Sequence, residues 1–218
     1  MTDSPLGVLA YIVLAVVLGG LWRQDVVAAG KAAGKAAGNV AGDGAARGAG
    51  GRGLLFFGVA GGIALTLLET AGELVLGVSS EQKNITVLFL GAMLAAAVVE
   101  EAIFRGWLVV EGRGRKAQWA GAVGVSLLFA AGHDFLWQYA PDAGAAWWEF
   151  WRGFSLSPTP KGWLSFGAAF ACGLFFYALR FHPRNAARAL LPCIAAHAAR
   201  NLAVFAVKLA QGHVVGWW

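Results

Sequence analysis

"VVEEAIFRGW", residues 98–107, puts two adjacent glutamates, Glu100 and Glu101, and an arginine, Arg105, inside a run that otherwise reads as a membrane span. A charge at the bilayer centre costs at least ~2.5–3.5 kcal/mol on insertion scales. Three of them in six residues need partners or a purpose. The rest of the chain makes lipid its solvent. It is 58% hydrophobic and 13% charged, with a mean hydropathy of +0.62, whereas a soluble domain carries about 25% charged residues. Six apolar segments can be marked, at 6–22, 54–78, 85–110, 118–136, 163–179 and 189–208. Each approaches the ~20 residues that cross a ~30 Å hydrocarbon core. The expected fold is therefore all-α, a polytopic transmembrane helical bundle of about six spans.

The formal charge of +5 would suggest nucleic acid in a soluble chain. Here the basic residues fall in loops, and no nucleic-acid partner is expected. Arg23, Lys31, Lys35, Arg47 and Arg52 follow the first span, Arg113, Arg115 and Lys116 the third, and Arg180, Arg184 and Arg188 the fifth. The opposite side carries Lys83, Arg152, Lys161 and Lys208. The positive-inside rule then puts the three basic loops in the cytoplasm and both termini outside. No basic residue precedes the first apolar run, which favours a retained span over a cleaved signal. Residues 1–22 are read as that span. Residues 23–52, rich in Ala and Gly, are read as a flexible cytoplasmic linker, and 53–218 as the helical membrane domain. Cys172 and Cys193 lie in apolar segments and read as small buried hydrophobes, not a disulfide framework. "WWEFWRGF", 147–154, reads as an interfacial segment at headgroup level. Glu69 and Glu73, i and i+4 late in span two, either line the cavity or, as the preferred reading, sit at the outer interface.

Three spans carry ionisable groups at depth. The third has Glu100, Glu101 and Arg105, the fourth "FAAGH" (129–133), and the sixth "HAARN" (197–201). Residues at i and i+4 share a helix face, so His197 projects with Asn201, and Glu101 reaches Arg105. Glu100 is rotated ~100° from Glu101 on a 3.6-residue helix. The two glutamates are therefore expected to face different partners. Alone, each histidine or asparagine is as well explained by helix–helix hydrogen bonding. Together, a Glu, two His and an Asn on three spans can activate a water and hold an oxyanion. Depth raises one difficulty. With a rise of ~1.5 Å per residue, Glu100 and His133 differ by roughly 15 Å if span three begins at residue 85. The gap narrows if that span begins near Gly91 and runs past Val110.

Glu-Glu-x-x-x-Arg, Phe-x-x-x-His and His-x-x-x-Asn, in this order on separate spans, resemble the three motifs of the CPBP family. These are the CAAX protease and bacteriocin-processing (Abi-like) intramembrane peptidases, whose relatives include myxosortases. The resemblance covers about residues 85–205. It implies an intramembrane endopeptidase that cuts near the C-terminus of a membrane-anchored or lipidated protein. It implies Glu100 as general base, His133 helping to hold the water, His197 and Asn201 as the oxyanion site, and Glu101 with Arg105 bracing the motif helix. Glu100, His133 and His197 could instead form a three-ligand zinc site. No His-Glu-x-x-His motif occurs, however, and the metal-free mechanism is preferred, with no cofactor. A transporter using these groups as a proton relay and a non-catalytic immunity or scaffold member are the alternatives. The Ala/Gly-rich composition points to a GC-rich bacterium and a multi-pass protein of its cytoplasmic membrane.

Overall fold

The computed structural model describes residues 7–20, 44–142, 144–185 and 188–217. Six helices follow the six apolar segments: α1 (Gly7–Gly20), α2 (Gly44–Leu76), α3 (Phe89–Glu101), α4 (Arg115–Ala131), α5 (Pro160–Arg180) and α6 (Leu191–Ala210). The all-α membrane bundle is thus observed. By length and apolarity alone, Arg52–Leu76, α5 and α6 can each cross a membrane. Helix α3 continues as a π-helix over Ala102–Trp107. Part of the expected linker, 21–43, with Arg23, Lys31 and Lys35, lies outside the described residues. Its last part differs from expectation, because the backbone is already helical from Gly44.

Local chemistry sets the helix ends. Thr159 caps α5, its hydroxyl accepting from the Gly162 amide at 3.0 Å just after Pro160, the preferred arrangement for a helix start. Gly112 and Gly114 adopt φ of +72° and +85° in the turn between the π segment and α4, conformations that favour glycine. Between α4 and α5, a hairpin pairs Trp137–Tyr139 with Phe154–Leu156 and carries a 3₁₀ segment, Trp147–Gly153. Trp148, Phe150 and Trp151 are exposed there, as an interfacial segment requires.

In lipid there is no hydrophobic drive between helices, so small residues at the contacts let backbones approach. Helix α2 packs closely on α6 through such residues. A Cβ at Gly62 would stand 2.2 Å from the Ala196 carbonyl oxygen, and one at Gly58 3.0 Å from that of Pro192. Leu54, Cys172, Phe176, Leu179, Cys193 and Ala196 form the core between α2, α5 and α6. Helix α1 runs parallel to α3, with Val8 against Gly91 and Ala15 against Ala95 and Val99.

This packing gathers the loops at two ends. At one end, Arg188 pairs with Glu111 at 3.6 Å, and Arg180 donates to the Arg105 carbonyl at 3.0 Å. The 111–116 and 180–190 segments therefore meet there, beside the N-terminal half of α2. At the other end, Ile85 bridges Val214, and the Leu88 amide donates to the Trp217 carbonyl at 2.9 Å. The start of α1 lies at this second end, beside Gly91. Gly62→Ala should separate α2 from α6 and lower the unfolding free energy by about 1–3 kcal/mol, the usual cost of overpacking. Thermal unfolding in detergent measures it.

Candidate active site

Arg105 and Glu101 are both fully buried, 0% exposed. Their contact, Nη1 to Oε1, is 3.1 Å. A buried cation also gains from aromatic faces. The Arg105 guanidinium lies 4.4 Å from the Phe129 ring centroid and 5.4 Å from that of Phe176. The helix widens to π geometry at the residue after Glu101, and such bulges frequently mark functional sites.

The Oε1 atom that takes Arg105 also lies 2.9 Å from His197 Nδ1. An ionised carboxylate only accepts, so Nδ1 carries the hydrogen and donates. The ring stacks on Phe176 at 5.1 Å and meets Phe129 edge-on at 5.9 Å. Its other nitrogen, Nε2, lies 3.8 Å from Glu100 Oε2. This corrects one expectation: both glutamates reach His197. The angular argument gave each glutamate its own direction correctly. It overlooked that an imidazole offers two nitrogens on opposite edges, so adjacent carboxylates can straddle one ring.

His133 and Asn201 are tied differently. His133 Nδ1 donates to the Phe129 carbonyl at 2.8 Å, and the ring stacks on Phe135 at 5.2 Å. Phe129 touches both imidazoles, lying 4.9 Å from His133. Span three begins at Phe89 and ends at Trp107, short of Val110, while His133 turns back toward the helix it follows. Asn201 Nδ2 donates to the Met93 carbonyl at 2.7 Å, which ties α6 to α3 and leaves the second amide hydrogen.

Among the described residues, no three His, Cys, Asp or Glu side chains come together closely enough to hold a metal ion. Glu100 and His197 are neighbours, but His133 does not complete a three-ligand set with them.

Glu69 and Glu73 take the less favoured of their two expected places. Instead of standing at the outer interface, they are held inside the bundle. Glu69 pairs with Arg200 at 2.8 Å and accepts from the Ser165 hydroxyl at 2.9 Å, and Glu73 pairs with Lys161. Lys161 and Ser165 were not singled out in the sequence. Their i, i+4 spacing on α5, matching that of Glu69 and Glu73 on α2, was the available signal.

The model of the Rce1-like family, type II CAAX prenyl endopeptidases, matches residues 82–203, more than half of the chain. The chain belongs to this family. No curated protein and no solved structure matches it. Membership in the Rce1-like family makes the protein, in general terms, an intramembrane endopeptidase of membrane-associated proteins. The match spans all three polar motifs, from before Glu100 to after Asn201.

The buried ion pair generates a test. Glu101→Gln leaves Arg105 without its carboxylate and His197 without its charged partner. Breaking a buried pair costs roughly 3–5 kcal/mol. The variant should lose most of its folded yield and thermal stability in detergent, whereas Glu100→Gln should lose little of either.

Proposed function

We propose that the protein hydrolyses a peptide bond near the C-terminus of a membrane-associated or lipid-modified protein, using a water activated by Glu100. The observation that carries this reading is the 3.8 Å approach of the Glu100 carboxylate to His197, whose far nitrogen is pinned by Glu101 at 2.9 Å. A spacing above ~3.5 Å suits groups that share a water or a reacting atom between them.

In this mechanism the Glu100 carboxylate takes a proton from water. The hydroxide attacks the scissile carbonyl carbon, and the carbonyl oxygen becomes an oxyanion. His197 directs Nε2–H toward that oxygen while its Nδ1–H stays on Glu101. The second amide hydrogen of Asn201 is the other donor. Preorganised donors of this kind are each worth about 2.7–4 kcal/mol of transition-state stabilisation. Collapse of the tetrahedral species breaks the C–N bond, and the Glu100 carboxylic acid returns its proton to the leaving amine. His133 has its Nδ1 committed to Phe129, which leaves Nε2 to accept from the attacking water. Arg105 takes no part in proton transfer and holds Glu101 in place.

Glu100→Gln preserves size and hydrogen bonding but removes the base. Processing of membrane-protein C-termini, measured by comparing terminal peptides in cells that carry the wild-type or variant gene, should fall by at least ~100-fold. Thermal stability should stay close to that of wild type. Undiminished processing in this variant rules the mechanism out. In this reading Glu100 activates the water without a metal, so the purified enzyme should keep its activity after exhaustive chelation. Loss of activity on chelation, with recovery on adding zinc, would overturn the metal-free reading.

A further inference from the structure

A cavity of about 610 Å³ opens at the end of the bundle where α2 and α6 finish and α3 and α5 begin. Its volume is typical of ligand sites, ~300–1,000 Å³. Neither Glu100 nor His197 lines it, but its floor adjoins the site. Phe135 in its wall stacks on His133 at 5.2 Å. Arg200 in its wall precedes Asn201, and the Thr66 hydroxyl bonds the Arg200 carbonyl at 3.3 Å.

Among the described residues, the opposite end is covered. Glu101 and Arg105 are fully buried there, and Arg180 sits over the Arg105 carbonyl. The Arg188–Glu111 pair joins the covering loops. The opening that the described residues show lies at the cavity end.

The walls say what enters. Glu69, Glu73, Glu81 and Asp134 face Lys83, Lys161, Arg200 and Lys208, so the lining is formally neutral. Ile85, Phe89, Val204 and Val207 contribute apolar wall, but burying a hydrocarbon chain against the charged groups beside them forfeits the solvation of those charges. An extended peptide needs partners for its own backbone N–H and C=O groups, and the hydroxyls and amides among the lining side chains supply them. The ends also differ in charge. Arg52, Arg113, Arg115, Lys116, Arg184 and Arg188 gather at the covered end. At the cavity end, Lys83 is paired with Asp134, Lys161 with Glu73, and Arg152 with Asp142. The positive-inside rule assigns the covered end to the cytoplasm.

We infer that this cavity is the substrate entrance and that it receives a polar, extended segment of a membrane-anchored protein from the extracytoplasmic face. Any hydrocarbon anchor stays in the bilayer. The inference rests on the endopeptidase reading above.

Gln138 is exposed and lines the cavity, and the native cysteines, Cys172 and Cys193, are buried. In intact cells a membrane-impermeant maleimide should label Gln138→Cys and leave Arg113→Cys unlabelled until the membrane is permeabilised. The reverse pattern overturns the orientation. Processing by the Gln138→Cys protein is then compared before and after modification with a bulky maleimide, with Ser157→Cys as a second position. Filling the cavity after folding should abolish processing, while wild type treated alike keeps it. Full labelling with undiminished processing overturns the entrance. The processed termini should lie on extracytoplasmic segments. Cytoplasmic termini overturn this inference and leave the endopeptidase reading standing. If no terminus depends on the gene, the endopeptidase reading fails, and this inference with it.

Discussion

A single carboxylate oxygen, Oε1 of Glu101, takes both Arg105 and His197, and the rest of the structure is arranged around that double contact. Two charges removed from water cost several kcal/mol each, and their attraction offsets this only with good geometry. The bundle supplies the geometry from four helices. Phe129 of α4 and Phe176 of α5 cover the guanidinium, and α6 brings His197 to the far side of the carboxylate. The π segment after Glu101 carries Arg105 itself. None of these elements can shift without exposing a buried charge to hydrocarbon, so the cluster fixes how the helices meet.

Helix α6 must approach closely for this to hold, and glycines on α2 make it possible. Gly58 and Gly62 let the backbones of α2 and α6 come almost into contact. One turn further on, Thr66 and then Glu69 grip the Arg200 carbonyl and guanidinium. This second set of contacts sets the rotation of α6, and with it the direction of His197 and Asn201. The polar residues of α2 thus act on the site from a distance, by positioning a neighbouring helix.

Much of this could be read from the sequence. The six apolar segments, the Glu101–Arg105 pair and the involvement of His197 follow from hydropathy and from i, i+4 spacing within single helices. What escaped was relational. The partner of Glu73 is Lys161, 88 positions away, and that of Asn201 is the Met93 backbone, 108 away. No local pattern encodes such pairings. The π turn was also hidden, because no residue propensity in Ala102–Trp107 marks it. Glu69 and Glu73 were placed at the interface because carboxylates near a helix end ordinarily seek water. Here they find Arg200 and Lys161 instead.

Hydrolysis in a bilayer poses a supply problem, because the hydrocarbon around the bundle holds almost no water. A general base buried among helices is useless unless water can reach it. Charged and hydrogen-bonding walls keep a cavity wet, and the neutral, ion-lined cavity above Arg200 and Phe135 has such walls. The same groups that fix α6 therefore also suit a water-holding space close to Glu100 and His197. Their exact pairing matters for this second role. An unpaired charge would draw in counter-ions, whereas matched pairs hold water and peptide without favouring either sign. The buried pair Glu101–Arg105 does the opposite at the covered end, where aromatic rings exclude solvent and keep the orientation of His197 rigid. A wet approach on one side and a dry, braced support on the other suit an enzyme that must admit water and a peptide while holding its reacting groups still.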